Sequence, residues 1–255
     1  GVAGEPRVLV EQPNLWVLWK PPGWSVWVQG GEDGAEGEPD EDMEATLMGQ
    51  ARPFKDWVEG LGAGAGARIA ADAGADHGLI HRLDRDTSGA LVCGRTYLGY
   101  HMALLQFAAR KVVKEYICLC SGHVPQELAE LTFPLKVVGR PGAWRSAVST
   151  AGRSARTEVR RVGRFQGPEG GALSVVEVRL HSGRLHQIRA HMAHAGHPLV
   201  GDLAYGGLGP RAWCRRIFLH ACRLRLDAGD GPVDVRSPLP PDLAGALAAL
   251  RPMDA

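Results

Sequence analysis

An α+β fold is predicted by three features of the 255-residue sequence. Short runs rich in β-branched and aromatic residues, bounded by Gly, Pro, Asn or Asp, recur along the chain. Other stretches repeat their apolar residues at helical spacing. The two kinds are not interleaved strand by helix, so the mixture points away from βαβ repeats. With 45% hydrophobic and 22% charged residues, the chain can bury a core as one large domain or two small ones. It is read as a single domain over 1–255 with a mobile insertion around 29–75.

The elements follow in order. Val8-Leu9-Val10 and Leu15-Trp16-Val17-Leu18-Trp19 flank the break Gln12-Pro13-Asn14 and read as a hairpin or two sheet strands. Lys20-Pro21-Pro22-Gly23 ends them, because proline fixes φ and lacks a donor. Residues 29–44 and the Gly/Ala-rich stretch 60–75 read as low-complexity insertions around a short helix within 45–61. From Gly78 the patterning sharpens. Ala90 to Cys93 reads as a buried strand, and Leu98, Met102, Leu105 and Ala109 predict an amphipathic helix over 97–111. Tyr116 to Cys120 alternates as a strand. Leu173 to Leu180 is another, with Val176, Val178 and Leu180 on one face. Leu185, Ile188, Met192 and Ala195 share one side of a helix that Gly196 caps. Strand-like runs at 217–219 and 233–235 precede a terminal helix over 242–250, with Asp242 as its N-cap.

The formal net charge of +1 hides an asymmetry. Eight acids and no base lie in 31–44; without them the balance is 29 basic against 20 acidic residues, or +9. A body of that charge attracts a polyanion. The five cysteines are an odd number with no Cys-x-x-Cys pair, which predicts a reducing, intracellular compartment and thiols used as small core residues. No apolar run is long enough for a membrane-spanning helix. The chain begins at Gly1 rather than Met, so a lost targeting segment stays open, and with it the choice of compartment.

The densest polar cluster is His81-Arg82-Leu83-Asp84-Arg85-Asp86-Thr87-Ser88-Gly89, set between Leu79-Ile80 and the strand from Ala90. Arginines beside a carboxylate hold it ionised. Such a carboxylate serves as a nucleophile, a general base or a metal ligand. From residue types alone, a turn whose Asp86, Thr87 and Ser88 satisfy backbone groups is the more ordinary reading.

The stretch His81-Arg82-Leu83-Asp84-x-x-Thr87-Ser88-Gly89 resembles the active-site motif of the RluA-type pseudouridine synthases. Trp19-Lys20-Pro21-Pro22-Gly23, Lys114-Glu115-Tyr116 and Gly183-Arg184-Leu185-His186-Gln187-Ile188-Arg189-Ala190-His191 resemble further motifs of that family in the same order. The last continues through Gly196-His197-Pro198-Leu199-Val200-Gly201-Asp202 to Tyr205-Gly206. The resemblance implies a mixed, mostly antiparallel central sheet flanked by helices and loops, and a cofactor-free isomerisation of uridine in RNA. It implies Asp84 as nucleophile, Arg189 as its charge partner and Tyr116 against the uracil, with Arg82 filling the space of the flipped base. Lys20, His81, Arg85, Arg184, His186 and Gln187 are the further residues expected to contact RNA. Two departures stand out. Ser182 and Leu185 occupy positions where the family often has Thr.

Other readings carry less. His186, His191, His194 and His197 invite a metal, but no Cys or carboxylate stands at ligand spacing beside them, and no metal is expected. Gly62-x-Gly64-x-x-Ala67 looks like a dinucleotide loop, yet no strand leads into it. A non-catalytic RNA-binding module and a metal-dependent hydrolase are the alternatives of other classes. The expected partner is RNA, whether ribosomal, transfer or messenger, with no membrane and a monomeric chain.

Overall fold

The computed structural model describes residues 4–28, 52–140 and 143–253. The acidic stretch 31–44 lies outside the described residues, as does the first part of the helix expected within 45–61. In chain order come β1 (Arg7–Glu11), β2 (Leu15–Lys20), β3 (Trp24–Ser25), β4 (Arg52–Pro53), helix α1 (Phe54–Ala65), β5 (Ser88–Gly94), α2 (Tyr97–Ala108) and β6 (Val113–Ser121). Then follow β7 (Glu130–Leu131), β8 (Leu135–Val138), β9 (Arg145–Val148), β10 (Thr157–Gln166), β11 (Ala172–Leu180) and α3 (Gln187–His194). The chain ends with β12 (Leu219–Asp227), β13 (Pro232–Arg236), α4 (Pro241–Ala248) and β14 (Arg251–Pro252). The class is α+β, and the strand pairs of the main sheet with a resolved register are all antiparallel.

Two compact units are present. The first holds residues 1–113, 140–144 and 223–237; the second holds 114–139, 145–222 and 238–255. In the first, β2 lies between β1 and β5. All six of its residues are buried, which explains an apolar run without alternation, because a strand covered on both faces has no solvent side. Its register sets Leu15 opposite Gly94 and Lys20 opposite Gly89. Leu15, Val17, Ala90 and Val92 pack with Tyr100, Ala103 and Phe107 of α2 and with Leu224, Leu226, Val233 and Val235. Each large side chain buried there stabilises by about 1.5–3 kcal/mol.

Helix α2 forms where expected, but on a different face. Thr96 caps it by accepting from the Gly99 N–H at 3.2 Å. Gly99, Tyr100, Ala103 and Phe107 are buried, whereas Leu98 and Leu105 are 62% and 63% exposed. Gly99 decides the face: a Cβ there would lie 2.0 Å from the Asn14 carbonyl oxygen. Only glycine allows that approach, and the larger leucines are turned outward.

The stretch 60–75 is corrected from a low-complexity insertion to packed structure. Residues 60–65 belong to α1, and short 3-10 turns cover 68–71 and 73–78. Gly62 sits so close to Ala70 that a Cβ would fall 2.2 Å from the Ala70 Cβ. The small residues are there for close approach. Gly62 and Gly64 are helical, so they form no phosphate loop.

In the second unit β11 lies between β6 and β10, and Tyr116 stands opposite Val178, which stands opposite Val159. Leu119 and Leu173 project to the other face and pack with Phe218 and with Leu243, Ala246 and Leu250 at the C-terminal end. Asp242 is not the N-cap of α4; Pro240 is. The Asp242 carboxylate instead accepts from Arg216 Nε at 2.6 Å. The strand expected at 217–219 begins only at Leu219 and runs to Asp227, since Phe218 is buried in the core ahead of it.

Four of the five free cysteines are buried and Cys222 is half-buried. Burial pushes the Cys214 thiol up to about 11, which suits inert core residues. Among the described residues no helix is long and apolar enough to cross a membrane.

Candidate active site

In the first unit, Asp84 opens a tight turn that the Thr87 N–H closes on the Asp84 carbonyl at 3.0 Å. The Asp84 side chain is half-buried. The turn is held from beneath by the Lys20-Pro21-Pro22-Gly23 segment. Lys20 Nζ donates to the carbonyls of Pro21 at 3.0 Å, Trp24 at 2.9 Å and Arg85 at 3.0 Å. The Gly23 N–H donates to the same Arg85 carbonyl at 2.8 Å. An ammonium has three donors, and three carbonyls match them. Because β2 registers Lys20 against Gly89, the ammonium arrives at the mouth of the loop that carries Asp84.

His81 is also internal. Its Nε2 accepts from the Val92 N–H of β5 at 3.0 Å, and its ring stacks on Phe107 with centroids 4.8 Å apart. Accepting there requires the neutral ring with its proton on Nδ1. Arg82 is half-buried, and Arg85 reaches Asp86 at 3.7 Å with about a third of its side chain exposed.

In the second unit, Tyr116 is buried on β6. Helix α3 is buried at six consecutive positions from Gln187 to Met192, three of them polar. Each of those polar groups therefore needs an internal partner. Gln187 Oε1 accepts from Ser182 Oγ at 2.9 Å and the Arg184 N–H at 3.1 Å; Nε2 donates to the Arg156 carbonyl and Thr157 Oγ1, both at 3.0 Å. Arg189 makes a bidentate pair with Asp202, Nε to Oδ2 at 2.7 Å and Nη2 to Oδ1 at 3.0 Å, with its Cζ 5.0 Å from the Tyr205 ring centroid. This is not the surface ion pair that an arginine on a short helix ordinarily makes. His191 bonds to Thr157 Oγ1 at 3.0 Å and donates from Nε2 to the Phe133 carbonyl at 2.8 Å.

Burial holds the His191 ring below the ordinary histidine range; the proton of nearby His194 opposes charging too, while the bond to Phe133 acts the other way. Above about pH 6.5 the folded and unfolded chains both carry a neutral ring there. As pH falls from that value, the unfolded chain takes up a proton that the folded one resists, so stability declines until the folded ring titrates. The loss is at most about 1.4 kcal/mol per pH unit. Thermal unfolding between about pH 8 and pH 5 is expected to show a shallower decline for His191→Gln than for the wild type.

The far end of α3 closes with the Gly196 N–H donating to the Ala193 carbonyl at 3.0 Å and the His197 N–H to the Met192 carbonyl at 2.8 Å. That pair of bonds needs a left-handed residue, and Gly196 has φ 85°. A Cβ there meets nothing within 4 Å. Gly196→Ala is thus expected to cost only the conformational strain, about 1 kcal/mol by denaturant unfolding.

Of the residues expected to contact RNA, Lys20, His81, His186 and Gln187 are 0%, 1%, 6% and 2% exposed. Lys20, His81 and Gln187 hold backbone or neighbouring side chains, and the His186 ring packs edge-on against Tyr205 with Nδ1 3.3 Å from its hydroxyl. Arg82, Arg85 and Arg184 keep exposed surface. His194 packs on the same Phe133 that His191 meets, with centroids 4.5 Å apart, while His197 bonds to the Ser121 carbonyl at 3.1 Å. Asp202 and Tyr205 are the residues that the sequence reading left without a role. The signal was a buried-helix arginine that requires an anion.

The sequence model of a family described as RNA pseudouridylate synthase matches residues 14–194. An uncharacterized RNA pseudouridine synthase of Chloroflexus aurantiacus is 39% identical over 178 residues, covering 68% of this chain and 54% of that protein. The ribosomal large subunit pseudouridine synthase D of Xylella fastidiosa is 35% identical over 189 residues, covering 68% and 55%. The chain thus spans about half the length of the curated relatives it matches. Human RNA pseudouridylate synthase domain containing 1 superposes with a TM-score of 0.66 at 24% identity, covering 99% of this chain and 91% of that one. Human RNA pseudouridylate synthase domain containing 4 gives 0.66 at 22%, covering 96% and 93%. At those identities the likeness is one of fold.

Proposed function

Because the chain belongs to the RNA pseudouridylate synthase family, we propose that it isomerises specific uridines in structured RNA to pseudouridine, with Asp84 as nucleophile. The observation that carries this reading is the Asp84 turn, whose next residue is fixed by a fully buried ammonium and a backbone N–H. A backbone held that firmly around Asp84 gives its side chain a fixed base from which to act. In the reaction the N1–C1′ bond breaks, the base turns, and a C5–C1′ bond forms. C5 releases a proton and N1 gains one, so no oxidant or cofactor enters the balance.

Arg189 serves as the cation that favours an ionised nucleophile. Tyr116 supplies a ring for the uracil face and an oxygen for the C5 proton. The target base leaves its stack at a cost of a few kcal/mol. Arg82 offsets part of that cost by stacking in the vacated space, and Arg85 and Arg184 contact phosphate. The relatives named for the large ribosomal subunit make ribosomal RNA the first substrate to try. Tritium release from RNA containing 5-tritiated uridine tests the reading. Release by the wild-type chain supports it, and RNA binding without release would leave a non-catalytic module.

A further inference from the structure

We infer that Asp202 and Tyr205 are positioning residues for Arg189, fixing the plane in which its guanidinium is presented. The inference rests on the proposed function, since it concerns how that reaction's arginine is held. Asp202 is fully buried and Arg189 nearly so, and a buried guanidinium without an anion is strongly disfavoured. The side-on pairing through Nε and Nη2 employs two of the five N–H donors and directs the rest away from Asp202. The Tyr205 ring packs against the guanidinium and restricts its tilt.

The clamp is itself built to be rigid. The Tyr205 hydroxyl accepts from the Ser146 N–H of β9 at 2.8 Å. Ser146 Oγ in turn donates to the Leu185 carbonyl just ahead of α3. The loop presenting both residues is wound too tightly for side chains at two points. A Cβ on Gly201 would lie 2.2 Å from the Arg216 carbonyl oxygen, and one on Gly207 would lie 2.0 Å from that of Leu199. The Gly207 N–H closes the loop on the Asp202 carbonyl at 2.8 Å. A carboxylate seated on such a loop cannot follow the arginine; the arginine must take its orientation from the carboxylate.

Asp202→Glu and Asp202→Asn test this, with kcat, RNA affinity and thermal unfolding measured on each. Asp202→Glu keeps the charge and moves the carboxylate by one methylene, so it guards against a variant that merely fails to fold. It is expected to lower kcat by about tenfold or more, as lost support of a ligating side chain does elsewhere, with RNA affinity within about threefold of wild type. In an Arg189→Lys background, where the fork is already gone, the same change is expected to have less than about a threefold effect on kcat. A folded Asp202→Glu or Asp202→Asn with wild-type kcat overturns the inference. So does a loss confined to RNA affinity, or one equally large in the Arg189→Lys background. Absence of turnover in the wild type would instead remove the enzymatic reading itself.

Discussion

Asp84→Asn is expected to lower pseudouridine formation by at least about a thousandfold, the scale on which loss of a nucleophile acts. RNA affinity is expected to stay within about threefold, because one half-buried side chain contributes little to a phosphate-dominated interface. Asparagine is nearly isosteric and keeps the main-chain carbonyl of residue 84, which accepts from the Thr87 N–H to close the turn. The change therefore removes the nucleophile while leaving the bond that closes the loop. Asp86→Asn is the matched control. That carboxylate lies two residues on and faces Arg85 across 3.7 Å at half-exposed positions, where ion pairs contribute about 0–1 kcal/mol. Its rate is expected to be close to wild type in the same assay.

Lys20→Met is the second large effect, and it acts on stability and rate together. The methionine fits the stem's volume but leaves the Pro21, Trp24 and Arg85 carbonyls without the ammonium. Each buried acceptor so deprived costs about 1–3 kcal/mol, offset in part by no longer burying a charge. A net loss of about 2–4 kcal/mol follows, which lowers the unfolding midpoint by roughly 5–15 °C for a chain of this size. The rate is expected to fall even well below that midpoint, because the Arg85 carbonyl anchors the residue after the nucleophile. Scanning calorimetry and tritium release on one preparation separate the two parts. A variant that melts and turns over like wild type would show that Lys20 does not position the loop.

Much of this was legible in the sequence, and the reasons for the rest are local. The run Leu15 to Trp19 reads as a strand because β2 is covered on both faces. The strand Leu173 to Leu180 reads because its buried face alternates cleanly. Strand β10 escaped notice: three arginines, a glycine and a bulge after Val159 break the alternation over Thr157–Gln166. The face of α2 was misjudged because spacing ranks Leu98 and Leu105 by hydrophobicity, while Gly99 against Asn14 settles the approach by size.

The site divides the same way. Asp84, Tyr116 and Arg189 stand out by motif, but a motif does not say which polar residues face inward. Lys20, His81, His186 and Gln187 are as polar as any RNA contact, yet the fold buries all four and gives them internal partners. Asp202 was the converse case. Its Gly201-Asp202 pair is visible in the sequence, but only the buried guanidinium of Arg189 shows what the carboxylate is for.

The central claim, that this chain makes pseudouridine through Asp84, is tested most directly by mapping pseudouridines in RNA from cells lacking the chain. The cells are compared after complementation with wild type or Asp84→Asn. The account predicts at least one uridine, first sought in ribosomal RNA, that is converted with wild type and remains uridine with Asp84→Asn. Identical maps in the deleted, wild-type and Asp84→Asn cells, or conversion restored by Asp84→Asn, would contradict it.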